Sequence, residues 1–226
     1  PSHLDLLRWH SKLKQIMKKL ILLVLAGILI VTVSAQEKAV TTKITTVYDE
    51  FKPAVITLKN GSVIRHKQAN VFMKNGSLLY KHGKTNMQAN MNQIKTVDFG
   101  DRHYCCIDTL LAYVVDSVAG NKLLCATLID MESYMAQLLN NRQITNLEIK
   151  SQINVTSLDM SDDEEQQYPL VNYFFYELDG KIIKVHERII NNIISKEKRR
   201  KFKTVIMMPE FSWNDKECLI ELLKAI

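Results

Sequence analysis

The residues able to act as ligands, acids or bases are few and scattered. His66, His82, His103 and His186 follow no helical spacing of the kind that holds zinc. The run His103-Tyr104-Cys105-Cys106 is the one cluster that combines imidazole with thiolate, the donors zinc prefers. Neighbouring residues of a strand point to opposite faces, so such a run disperses its ligands. Acid–base chemistry would fall to Asp98, Asp101, Asp108, Asp116 and Asp130. A glycosidase pair among them would need two carboxyls roughly 5–10 Å apart. The chain holds no Gly-x-Ser-x-Gly elbow, phosphate loop, dinucleotide fingerprint or His-Glu-x-x-His motif. No catalytic residue, metal ligand or cofactor site is assigned, and no cofactor is expected.

Contact chemistry is better represented. Tyr173-Phe174-Phe175-Tyr176 packs four aromatic residues into one apolar run. Strand alternation puts Tyr173 and Phe175 on one face and Phe174 and Tyr176 on the other. One pair belongs to the core, and the other, where uncovered, is the expected partner surface, since exposed aromatics are enriched at interfaces. The expectation is an exported, non-catalytic binding or interaction protein whose partner is an envelope protein or surface ligand. Two alternatives are an accessory protein of an outer-membrane assembly and a hydrolase built from the scattered carboxylates.

Export follows from the N-terminal region. Met17-Lys18-Lys19 precedes an apolar run, Leu20–Val31, and small residues at Val33-Ser34-Ala35. This is the pattern of a secretory signal peptide over 17–35, cut between Ala35 and Gln36. The run is shorter than the roughly 20 apolar residues of a spanning helix. Residues 1–16 precede Met17 and are read as a non-native or over-extended upstream segment. The net charge of +6 is mostly the leader's, where Arg8, Lys12, Lys14, Lys18 and Lys19 face only Asp5. The basic balance is therefore no argument for nucleic acid, and the destination is the periplasm or the exterior. Cys105, Cys106, Cys125 and Cys218 follow the cut; their pairing is left open, and they are read as mostly buried thiols.

With 226 residues, 46% hydrophobic and 24% charged, the chain is ordinary for a globular protein. The fold class expected is α+β: an antiparallel meander, forming a small barrel or bent sheet, then a hairpin-rich part with C-terminal helices. The boundaries are a β-rich domain over 36–158, an acidic linker over 159–167, and an α+β part over 168–226 packed on the first. Strands are predicted at Ala54–Lys59, Ser62–His66, Ala69–Lys74, Ser77–Lys81 and Ile94–Phe99. Asn60-Gly61 and Asn75-Gly76 each sit in a Lys-Asn-Gly-Ser tetrapeptide and predict type I′ turns, with positive φ at both central residues. Tyr104–Val118 and Lys122–Met131 read as two long strands of one hairpin, with Cys125 opposite Asp116. A short helix follows over Glu132–Asn140, then strands at Ile144–Ile149 and Ile153–Leu158.

Farther on, Leu170–Leu178 and Lys181–His186 make a hairpin about Asp179-Gly180. A single helix is predicted over Glu187–Lys203, with Ile189, Ile190, Ile193 and Ile194 on one side and a basic end complementing the helix dipole. The last helix is capped by Ser212 or Asn214, with Cys218, Leu219, Leu222, Leu223 and Ile226 as its buried stripe.

Ile56-Thr57-Leu58-Lys59-Asn60-Gly61, Val71-Phe72-Met73, Leu78-Leu79-Tyr80 and Ile94-Lys95-Thr96-Val97 resemble the strands of SH3-like and Sm-like small barrels. The resemblance covers about a quarter of the chain and implies a shape only. The segment Tyr173–Leu223 resembles the C-terminal part of small exported proteins of unknown function from Gram-negative bacteria. That likeness rests on Phe-Tyr-Glu-Leu-Asp-Gly-Lys-Ile at 175–182 and Phe211-Ser212-Trp213 before Leu222-Leu223. It implies export and no activity.

Overall fold

A computed structural model describes residues 40–140 and 167–226. The leader, the strands expected at Ile144–Ile149 and Ile153–Leu158, and the acidic linker up to residue 166 lie outside the described residues. The chain is α+β. Its strands are β1 (Thr41–Thr42), β2 (Lys52–Leu58), β3 (Val63–Phe72), β4 (Ser77–His82), β5 (Thr85–Gln88), β6 (Ile94–Asp98), β7 (His103–Ile107), β8 (Leu110–Val118), β9 (Asn121–Ile129), β10 (Tyr168–Leu178) and β11 (Lys181–Lys184). The helices are α1 (Met131–Asn140), α2 (Glu187–Ile193), α3 (Lys196–Ile206) and α4 (Lys216–Ala225).

The strands form an antiparallel sheet in the order β1-β10-β9-β8-β7-β6-β2-β3-β4-β5, with β11 also paired to β10. The segment 40–47 ties together two strands that this order leaves apart. On one side Thr41 and Thr42 pair with Pro169 and Tyr168, and the Leu170 amide donates to the Val40 carbonyl at 2.9 Å. On the other, the Met73 amide donates to the Thr45 carbonyl at 2.8 Å and the Val47 amide to the Val71 carbonyl at 3.0 Å. The Ile129 amide also donates to the Met73 carbonyl at 2.8 Å, so the end of β9 meets the end of β3. The meander is thus strongly bent and strapped, with its backbone groups satisfied across the bend.

Both Asn-Gly turns are present, but only Gly61 (φ 87°) and Gly76 (φ 68°) have positive φ, so neither is type I′. At the first, the Gly61 amide bonds to the Leu58 carbonyl and Leu58 to Ser62, which makes a longer loop with glycine in the left-handed position. Positive φ at both central residues, as type I′ requires, occurs instead at Ala119-Gly120 (φ 50° and 87°) and at Asp179-Gly180 (φ 49° and 78°). The two strands expected at Ser62–His66 and Ala69–Lys74 are one, β3, bulged where β2 passes from Lys52 to Ala54. The long strand expected over Tyr104–Val118 is two, β7 and β8, folded at Asp108, whose φ is 54°. A bulge between Val114 and Asp116 then shifts the next pairing, so Cys125 faces Tyr113 and Asp116 faces Leu123.

The helical half follows the same logic. The helix expected over Glu187–Lys203 is broken at Ile194-Ser195, where the Ser195 hydroxyl accepts from the Lys198 amide and starts α3. Lys196 and Lys198 consequently occupy the first turn of α3, where cations oppose the helix dipole instead of complementing it. Of the four isoleucines, Ile190 and Ile194 are buried, and Ile189 and Ile193 are exposed. The cap of α4 is Asp215, whose carboxylate accepts from the Cys218 amide at 2.8 Å, and not Ser212 or Asn214. Leu219, Leu222, Leu223 and Ile226 bury against Leu123, Cys125, Phe174 and Tyr176 as one core cluster. Each such side chain contributes about 1.5–3 kcal/mol by burial. All four cysteines are free thiols; Cys125 is buried and the others are partly exposed.

Candidate functional site

The aromatic strand splits by face. Phe174 and Tyr176 point into the core beneath α2–α4, and the Tyr176 hydroxyl donates to the Leu219 carbonyl at 2.6 Å. On the opposite face Tyr173 is 37% exposed, with the Lys184 ammonium 5.5 Å from its ring centroid. Phe175 is half-buried among Val114, Ile182 and the residues around Leu124. Tyr173 is therefore the open member of the pair.

The ligand and acid candidates are held apart by local tasks. His103 lies 3.8 Å from Asp98, and the Cys105 and Cys106 side chains pack on different clusters. Asp98 accepts from the Gly100 amide, Asp116 from the Ser117 amide, and Asp130 from Ser133 at the start of α1. Asp101 accepts from Lys52 at 2.8 Å and from the Tyr48 hydroxyl at 3.2 Å. Among the described residues no group of three His, Cys, Asp or Glu side chains is placed to hold a metal ion.

What the strap encloses is a cavity of about 250 Å³ between segment 40–47 and strands β3, β7, β8, β9 and β10. Its wall is mixed: Ile44, Val47, Val71, Met73, Leu111 and Leu170 are apolar, and Thr42, Thr46, Thr127, Tyr104 and Tyr113 carry hydroxyls. Arg102 also borders it. The turn that presents Arg102 is shaped by Gly100 (φ 90°) and closed by the Phe99 amide on the Arg102 carbonyl at 3.0 Å. The guanidinium lies 5.0 Å from the Tyr113 ring centroid, a cation–π distance. Tyr104, paired with Tyr113 across β7 and β8, crosses its ring edge-on at 6.1 Å.

The electrostatics around Arg102 are one-sided. Partial desolvation works against its charge, but the adjoining Tyr104 phenol, with Tyr48 and Tyr113 beyond, outweighs that and raises its pKa. Burial raises all three phenols in turn, Tyr113 up to about 12, so each keeps its proton at neutral pH. Hydrogen bonding from Lys52 holds the Asp101 carboxyl below its ordinary value. Arg102 makes no ion pair among the described residues, and the buried Tyr104 hydroxyl has no hydrogen-bond partner. The arrangement is an exposed cation stacked on a phenol ring beside a hollow of mixed lining.

Sequence reasoning missed this site. Tyr104 and Tyr113 become neighbours only when a hairpin at Asp108 is recognised, and reading Tyr104–Val118 as one strand separates them. Asp-Thr at 108–109 is a weak turn signal beside Asn-Gly. The strap had no signal at all, because Thr45 to Val47 pair with β3 outside any named strand. No protein-family model, curated protein or solved structure matches the chain.

Proposed function

We propose that the chain is an exported binding protein that holds a small ligand in the strapped cavity without making or breaking bonds. The observation that carries this reading is the Arg102 guanidinium, without an ion pair among the described residues and over the Tyr113 ring at the rim of the hollow. Ligand sites are concave and set apolar walls beside a few fixed polar groups, and this cavity sets Ile44, Val71, Met73, Leu111 and Leu170 beside Arg102 and the hydroxyls of Thr42, Thr46 and Thr127. Export to the periplasm or exterior rests on the Met17–Ala35 leader. A macromolecular partner on the outer face of β10 is the second reading, favoured by the exposure of Tyr173 beside Lys184.

Thermal melting of the full chain against a panel of small organic acids, alcohols and amines tests the first reading. A ligand that binds only the folded state raises the midpoint progressively, as the logarithm of its concentration once that exceeds Kd. The rise should disappear in Thr127→Trp, which fills the cavity from its half-buried lining. A panel with no effect on the unmodified chain, or an equal effect on the plugged one, would reject the cavity as the site.

A further inference from the structure

We infer that the ligand is a small organic anion, a monocarboxylate whose head pairs with Arg102 and whose short apolar body enters the hollow. This rests on the cavity reading above. Among the described residues Arg102 is the one cation that borders the cavity, and no acid pairs with it. The carboxylate nearest in sequence, Asp101, is engaged by Lys52 and the Tyr48 hydroxyl. A planar guanidinium presents paired N–H groups that match a carboxylate in bidentate fashion, which a lysine at this place would not. Among the described residues the lining contains no acid that would repel an anion. Tyr113 and Tyr104 hold the guanidinium from the protein side and serve as positioning residues.

The aliphatic half of the wall favours an organic anion over an inorganic one, and the hydroxyls of Thr42, Thr46 and Thr127 line the rest. Ile44, Val71, Met73, Leu111 and Leu170 offer no hydrogen bond to the outer oxygens of phosphate or sulfate. Those residues match an aliphatic or aromatic body. At about 250 Å³ the space lies just below the roughly 300–1,000 Å³ of drug-sized pockets, so the body is short.

Calorimetric titration of the full chain with hexanoate, hexan-1-ol and inorganic phosphate tests the inference, using the unmodified protein, Arg102→Gln, Arg102→Lys and Thr127→Trp. Arg102 is exposed, so its variants keep the fold, and their melting midpoints verify that. The unmodified chain should bind hexanoate more tightly than hexan-1-ol, and phosphate least. A charge-assisted hydrogen bond is worth about 1.5–3 kcal/mol, so Arg102→Gln should weaken hexanoate about ten- to a hundredfold. Hexan-1-ol should be unaffected by that change, and Arg102→Lys should fall between. Equal binding of acid and alcohol, both indifferent to Arg102→Gln but lost in Thr127→Trp, would overturn the anion and leave the cavity reading standing. Phosphate binding as tightly as hexanoate would overturn the apolar body. Neither organic probe binding the unmodified chain would overturn the cavity reading and this inference together.

Discussion

A Cβ built on Gly76 would fall 2.1 Å from Cδ1 of Leu110. Gly76 closes the β3–β4 turn, and its carbonyl accepts the Leu111 amide at 2.9 Å, so the turn leans directly on β8. Gly61, in the other Lys-Asn-Gly-Ser repeat, has open space at the same point. Both have positive φ, which costs an L-residue about 1–2 kcal/mol. Gly61→Ala should therefore lose about that much in urea denaturation. Gly76→Ala should lose more, because Leu110 must also move. Equal losses would mean that the turn does not bear on β8.

Two buried tyrosines give opposite expectations. Tyr176 donates to the Leu219 carbonyl, and Tyr176→Phe should cost about 1 kcal/mol. The Tyr104 hydroxyl is buried without a hydrogen-bond partner among the described residues, a state that costs about 1–3 kcal/mol, so Tyr104→Phe should raise the melting midpoint. A drop with Tyr104→Phe would show that this hydroxyl is satisfied in solution.

Faces of β10 can be told apart by truncation. Phe174→Ala should lose about 3–5 kcal/mol, as a core phenylalanine does. Tyr173→Ala should leave the thermal midpoint nearly unchanged. Comparable losses at both positions would place Tyr173 in a covered interface.

The Asp215 cap predicts a pH signature. Its carboxyl is held below the ordinary value by the Cys218 amide, so the folded state binds its proton less readily than the unfolded chain. The cap's contribution is therefore present above the unfolded carboxylate pKa, near 4, and disappears as pH falls through the lower folded value. Asp215→Ala should cost about 1 kcal/mol at neutral pH, and the two proteins should converge in acid. A gap that persists at low pH would assign the loss to helix propensity.

Export predicts a defined product. N-terminal sequencing of the protein recovered from periplasm or medium should begin at Gln36. Recovery of an intact Met17 on membranes would favour a retained anchor.

Local signals carried the sheet and the helices well. Asn60-Gly61, Asn75-Gly76 and Asp179-Gly180 each mark a real hairpin, because glycine concentrates where φ is positive. The alternation over Tyr173–Tyr176 correctly divides core from outer face. Failures lie where a decision depends on contacts distant in sequence. Ile189 and Ile193 look as apolar as Ile190 and Ile194, yet only the second pair meets the core. The break at Ser195 leaves no Gly or Pro to announce it, only a hydroxyl that caps as well as it sits in a helix. Arg102 reads as a surface charge until Tyr48, Tyr104 and Tyr113 are folded around it.

The strap also orders events during synthesis. Thr41 meets Gln167 across 126 positions of chain, so segment 40–47 has no β10 to pair with until most of the protein has been made. Up to that moment β9 lacks a neighbour on one side, and its unpaired edge can recruit another chain. Contacts of this span slow folding, because the entropy of loop closure is spent before any contact repays it. Pairing of Thr41 and Thr42 is thus a late event, and a truncation that removes β10 should release them while Thr45–Val47 stay on β3.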